Sequence, residues 1–162
     1  MDKSHVTLAS PDAEYTLFDA KRNGLPEIIM VNKALLGFRH HEIFPWYLCV
    51  TIEAKELIDN GMPAPAEQEV LYRVGDDIED VLLASRTGHD AVNVLFLARS
   101  TWDGLRQLLF YVHDPEIAHA ALQTLLASRE WERRWDYRMD HDGEWENAGF
   151  VFQLFPQVQG TH

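Results

Sequence analysis

The chain has 162 residues, 46% of them hydrophobic, which is enough for one well-packed core and short for two. Its 14 Lys and Arg stand against 26 Asp and Glu, for a formal charge of −12, and such a surface repels phosphate backbones and argues against a nucleic-acid partner. The single cysteine, Cys49, forbids an intrachain disulfide and fits a reducing, cytoplasmic setting.

Residues 14–20 and 26–31 are β-prone runs separated by Asn23-Gly24, which predicts an N-terminal hairpin over 14–31. Residues 32–44 are irregular and end in His40-His41-Glu42, read as a loop. Residues 46–53 predict a strand by alternation. Trp46, Leu48, Val50 and Ile52 share the face that helices should cover, and Tyr47, Cys49, Thr51 and Glu53 share the other. After Gly61-Met62-Pro63, apolar residues at Val70, Leu71, Val74, Ile78, Val81 and Leu82 predict an amphipathic helix over 66–84. Glu67, Glu69, Asp76, Asp77, Glu79 and Asp80 are expected on its outer surface.

Residues 91–100 read as the next strand, Asp103-Gly104 as a tight turn, and 105–112 as the returning strand. Asp114-Pro115-Glu116 opens a second helix over 115–127, with Asp114 as cap, Pro115 in the first turn and Glu116 at the positive end of the dipole. Residues 131–140 alternate, with Trp131, Arg133, Trp135, Tyr137 and Met139 on one side and charges of mixed sign on the other, a pattern that suits an edge strand. In 143–156, Trp145, Ala148, Gly149, Phe152 and Phe155 have helical spacing while Phe150, Phe152 and Leu154 alternate. Both stay open, with helix favoured. Residues 157–162 are expected to fray. Residues 1–10 lack the apolar run of a signal peptide, and the most apolar run, 91–98, is far below membrane-spanning length.

Over 45–140 the order is strand, helix, strand, strand, helix, strand. It predicts an α+β fold with a ferredoxin-like βαββαβ core: an antiparallel sheet in the order 4-1-3-2 with two helices on one face. The N-terminal hairpin and the aromatic extension 143–156 complete one domain spanning 1–162. This fold hosts enzymes, regulators and binders alike, so it fixes no function.

Several short motifs carry a resemblance. The run Phe44-Pro45-Trp46-Tyr47-Leu48-Cys49-Val50-Thr51-Ile52 is followed by Gly61-Met62-Pro63 and an acidic helix, then by Gly104-Leu105-Arg106-Gln107-Leu108-Leu109-Phe110-Tyr111-Val112. The chain closes on Trp135-Asp136-Tyr137, Asp142, Trp145 and Leu154-Phe155-Pro156. Together these resemble the bacterial family catalogued as domain of unknown function 695. The spacing from Trp145 to Pro156 is longer than that family's usual one. Members are sometimes fused to a domain similar to the regulator of ribonuclease E activity, B type, a small acidic ferredoxin-like protein that binds a protein partner and does no chemistry. The resemblance therefore implies regulation through protein contact.

No residue pattern defines a catalytic site or a cofactor. His40, His41 and Glu42 adjoin, and His113-Asp114 and His141-Asp142 are pairs, but neighbouring histidines of an extended segment point apart and no HExxH or CxxC spacing occurs, so no metal is expected. Cys49 lies in a central strand and reads as a small hydrophobe. No serine sits in a G-x-S-x-G elbow, and no glycine-rich phosphate loop is present.

Two function classes follow. The first is a non-enzymatic interaction domain that offers Asp76, Asp77 and Asp80 to a basic protein surface, with Trp102 as an apolar contact beside the Asp103-Gly104 turn. The second is a small-molecule binder or minor enzyme on the open sheet face, using Arg99, Arg106 and Tyr111, with Trp145 among the aromatics lining it.

Overall fold

A computed structural model describes residues 13–155; the expectations for 1–10, Pro156 and 157–162 lie outside the described residues. Six strands form one antiparallel sheet: β1 (Tyr15–Arg22), β2 (Leu25–Asn32), β3 (Trp46–Glu53), β4 (Val94–Trp102), β5 (Leu105–Val112) and β6 (Trp135–His141). Their order across the sheet is β1-β2-β4-β5-β3-β6. Three α-helices join them: α1 (Pro65–Ala84), α2 (Pro115–Ala127) and α3 (Glu146–Phe152). Both tight hairpin turns place positive φ at two successive residues, Asn23-Gly24 (54° and 79°) and Asp103-Gly104 (46° and 79°). That geometry matches the right-handed twist of the flanking strands, and Gly tolerates it without steric cost.

The helices α1 and α2 cover one face. Leu71, Val74, Ile78 and Leu82 of α1 and Ala118 and Leu122 of α2 pack on Leu48, Val50, Ile52, Val94, Phe96, Leu108, Phe110, Val112 and Trp135. Asp114 caps α2 as its sequence predicts, accepting from Glu116 N at 2.9 Å. The opposite face is expected to be open and is not. A second cluster of Leu35, Phe44, Tyr47, Cys49, Leu95, Leu97, Leu109 and Tyr111 lies there under α3 residues Ala148 and Val151, with Trp145. The extension is thus helical, and its apolar side chains close the face.

Helix coverage ends before the sheet does. Strands lie about 4.8 Å apart and packed helices about 10 Å apart, so two helices span roughly four strands. On the α1/α2 side the β1–β2 hairpin is left uncovered, and Leu17 is 67% exposed, Tyr15 58% and Ile28 37%.

Two strand starts and one helix residue differ from the sequence pattern. β4 starts at Val94 rather than residue 91, because Asn93 turns its amide onto the start of α2, accepting from Asp114 N (2.8 Å) and donating to Asp114 O (3.1 Å). β6 starts at Trp135 rather than residue 131. There Trp131 lies beneath the Arg129 guanidinium, 3.7 Å from its ring centre, and Arg133 turns inward to Glu67. Glu67, expected on the outer surface of α1, is 1% exposed. It accepts two hydrogen bonds from Arg133 and one from Lys55 N.

Candidate anion-binding site

Arg106 belongs to the helix-covered face by strict alternation with Leu108, Phe110 and Val112. Arg99 reaches the same face through an irregularity. In β4 the register slips between Phe96 and Ala98, so that both Leu97 and Ala98 point to the α3 side. This β-bulge reverses the parity of every later residue and aims Arg99 at α1 rather than away from it. Without the extra residue the two arginines would lie on opposite faces.

Tyr72 of α1 lies over both. Its ring centre is 5.0 Å from the Arg99 guanidinium carbon and 4.7 Å from that of Arg106. Arg106 donates from Nε to Thr101 Oγ1 (3.1 Å) and from Nη2 to Gln68 Oε1 (2.7 Å). Among the described residues its Nη1 meets no acceptor with hydrogen-bond geometry, although the residue is 2% exposed. Arg99 touches Met30 Sδ at 3.6 Å. Neither arginine forms an ion pair among the described residues. Burial, then repulsion from Arg99, draws the Arg106 guanidinium down to about 10, while the Tyr72 hydroxyl beside it and Glu79 pull the other way.

The counter-charge that acts on both arginines is Glu79, two turns of α1 on from Tyr72. It is half-buried, and burial pushes its carboxyl up to about 7, with Arg99 pulling the other way and Asp76 and Asp80 adding to the rise. Two cations, one of them with an unpaired buried donor, therefore face a carboxylate that binds neither within ion-pair distance. An unsatisfied buried donor costs about 1–3 kcal/mol, and more when it is charged. Chemically the arrangement suits an oxyanion: guanidinium donors supply charge-assisted hydrogen bonds, and Glu79 can hold or release a proton near neutrality.

Tyr111 and Trp145, expected with the arginines, are elsewhere. Tyr111 lies on the α3 side and is fully buried, its parity odd relative to Arg106. Its hydroxyl donates to Asp142 Oδ2 (2.7 Å) and accepts from Ala148 N (3.1 Å). Burial, then the Asp142 hydrogen bond, raises its pKa. Trp145 stacks between Tyr111 (4.0 Å) and His41 (4.2 Å), and its indole donates to Phe44 O (2.8 Å). It holds this place in a left-handed conformation at φ 57°. Asp142 also accepts from Glu146 N, Asn147 N and Asn147 Nδ2. Burial opposes its charge, but these donors prevail and its pKa is lowered. Tyr111, Asp142 and Trp145 are thus all partnered, and together they latch α3 to this side of the sheet. The grouping of Arg99, Arg106 and Tyr111 on one open face is corrected: the first two come together and the third is across the sheet.

The expected partner residues are also divided. Asp77 pairs with Arg129 at 2.8 Å, whereas Asp76 and Asp80 form no ion pair among the described residues. Trp102 is half-buried with Arg22 stacked 3.9 Å over its ring and its indole donating to Arg22 O (2.9 Å). The sequence pattern gave no role to Tyr72 or Gln68, and it placed Glu79 among the outer carboxylates of α1, where it is instead half-buried. The signal was present, since positions 68, 72 and 79 fall on one helical side.

Among the described residues, no group of three or more His, Cys, Asp and Glu converges as a metal site, and no helix is long and apolar enough to cross a membrane. Fold and site together define an α+β domain, a six-stranded antiparallel sheet with three helices and an arginine pair held between helix and sheet. The chain belongs to the Family of unknown function (DUF695), which matches residues 14–151. No curated protein and no solved structure matches it.

Proposed function

We propose that this chain is a cytoplasmic, non-enzymatic binding domain with a ferredoxin-like core in β3-α1-β4-β5-α2-β6, and that it binds a small anion at Arg99 and Arg106. One observation supports this above the rest. Arg106 is buried with Nη1 unpaired, beside a second arginine and without an ion-paired carboxylate. Purely structural buried charges are normally paired, because an unpaired one is strongly unfavourable. An oxyanion ligand removes that cost when it binds. Calorimetry and thermal-shift assays with acetate, phosphate and citrate test the reading. An anion should bind and raise the melting temperature of the parent, and Arg106→Met and Arg99→Met should each lose the effect. Equal binding by the Arg106→Met protein overturns it.

A second reading has its own support in Asp76 and Asp80, exposed and unpaired on α1. A basic protein segment docking there relieves their repulsion and is steered in by the acidic field. A Lys/Arg-rich peptide should bind in fluorescence anisotropy, weaken with salt, and weaken further on Asp76→Asn with Asp80→Asn. Unchanged affinity for that double variant returns the stripe to an ordinary solvated face.

A further inference from the structure

The arginine pair is continuous with the uncovered hairpin. Across the sheet, one row of directly opposed residues reads Leu17, Met30, Arg99, Leu108, and the next reads Asp19, Ile28, Thr101, Arg106. Opposed residues share a face, so Met30, Ile28, Leu17 and, one row on, Tyr15 extend from the arginines as an apolar floor on the α1 side. The wall is α1, where Tyr72 (39% exposed) and Leu83 (36% exposed) lie three turns apart on one side. From Arg99 to Leu17 is two strand spacings, roughly 10 Å.

We propose that these features form one trough whose ligand is an amphipathic monocarboxylate, its head on Arg99 and Arg106 and its apolar body across Met30, Ile28 and Leu17. The inference rests on the anion reading above and names the class of anion. Charge selects a single negative group. Two guanidinium groups against Glu79 leave one net positive charge, while Asp76 and Asp80 on α1 and Asp19 at the far end of the floor repel a second anionic group. Size selects a small molecule over a polypeptide, because Arg106 is 2% exposed with its guanidinium carbon 4.7 Å from the Tyr72 ring centre, and a compact head needs the least displacement of that ring to meet Nη1. The apolar floor selects the body, since Tyr15, Leu17 and Ile28 are exposed on one sheet face and continue from Met30 beside the arginines.

Calorimetry on the full chain with acetate, hexanoate, octanoate and octan-1-ol tests the proposal. Each methylene buried in the trough strengthens binding by roughly fourfold, so octanoate should bind at least tenfold more tightly than acetate. Leu17→Gln, at a position largely in solvent, should flatten that dependence on length, with circular dichroism confirming the fold. Octanoate no tighter than acetate overturns the amphipathic inference and leaves the anion reading standing. Octan-1-ol as tight as octanoate overturns the placing of the head on the arginines. Failure of every carboxylate to bind, short or long, overturns the monocarboxylate inference, and failure of phosphate as well removes the anion reading itself.

Discussion

Asp142 on one face of the sheet and Arg106 on the other are buried polar groups in opposite states. On the α3 side, Asp142 accepts from the Tyr111 hydroxyl, two backbone amides and the Asn147 amide, and Trp145 is held by a carbonyl and two stacked rings. On the α1 side, Arg106 keeps an unpaired Nη1 next to a second cation. A closed network rigidifies one arrangement, whereas an incomplete one is sensitive to whatever completes it. On the proposed reading, structure and function are divided between the faces. The α3 face fixes the path of the chain, and the α1 face keeps interaction energy that a ligand can use.

The sharpest break of this comparison is at Asp142. Asp142→Ala should destabilise by about 3–5 kcal/mol in urea titration, because it strips the buried Tyr111 hydroxyl and the start of α3 at once. A loss under about 1 kcal/mol would show that the latch does not hold α3. Leu122→Ala measures plain packing on the helical face and should cost about 2–5 kcal/mol.

Arg106→Met should stay within about 1 kcal/mol of the parent or exceed it, since exchanging an unpaired buried charge for an apolar side chain is often neutral or stabilising. A loss comparable to that of Asp142→Ala would mean that Arg106 is structural and that the two faces are alike.

The smallest effect is in pH. Glu67 is held down to about 2, chiefly by its hydrogen bonds from Arg133, against an ordinary 4.5. Its stabilisation is present above pH 4.5 and is lost as pH falls toward 2. Glu79 is pushed up to about 7, so the folded state holds its proton more tightly, and its stabilisation fades as pH rises from 4.5 to 7. Glu67→Gln should flatten the acid limb of the stability profile. Glu79→Gln should flatten the neutral limb. If Glu79→Gln leaves the limb between pH 5 and 7 unchanged, that carboxylate is not coupled to the site.

Local chemistry made much of this architecture legible. Asn23-Gly24 and Asp103-Gly104 mark the two turns, Asp114-Pro115 marks the start of α2, and alternation gives β3 and β5 to the residue. Parity alone also separates Tyr111 from Arg106, five residues along one strand, and applying it strictly would have divided the site correctly. Other features depend on partners distant in sequence. Asn93 leaves β4 for α2, Glu67 is drawn inward by an arginine 66 residues away, and no local signal announces the bulge at Leu97 that turns Arg99. The coverage of the second face follows from where α3 docks, which helical spacing cannot specify.

The hairpin carries a consequence for the order of folding. Its own ladder forms between near neighbours, but β2 joins the rest through five register pairs with β4, some 70 residues on, and through the Asn32 amide donating to Phe96 O at 3.0 Å. Closing so long a loop has a large entropic cost, and on the α1 side no helix covers the joint. The β1–β2 leaf is therefore the part of the sheet that opens at least cost, and amide exchange should slow from β1 inward to β5. The floor of the trough and its arginines then sit on opposite sides of a hinge between a leaf and a core. A ligand bridging that hinge would bind less tightly by the fraction of time the leaf stands open, and its binding would in turn hold the leaf shut.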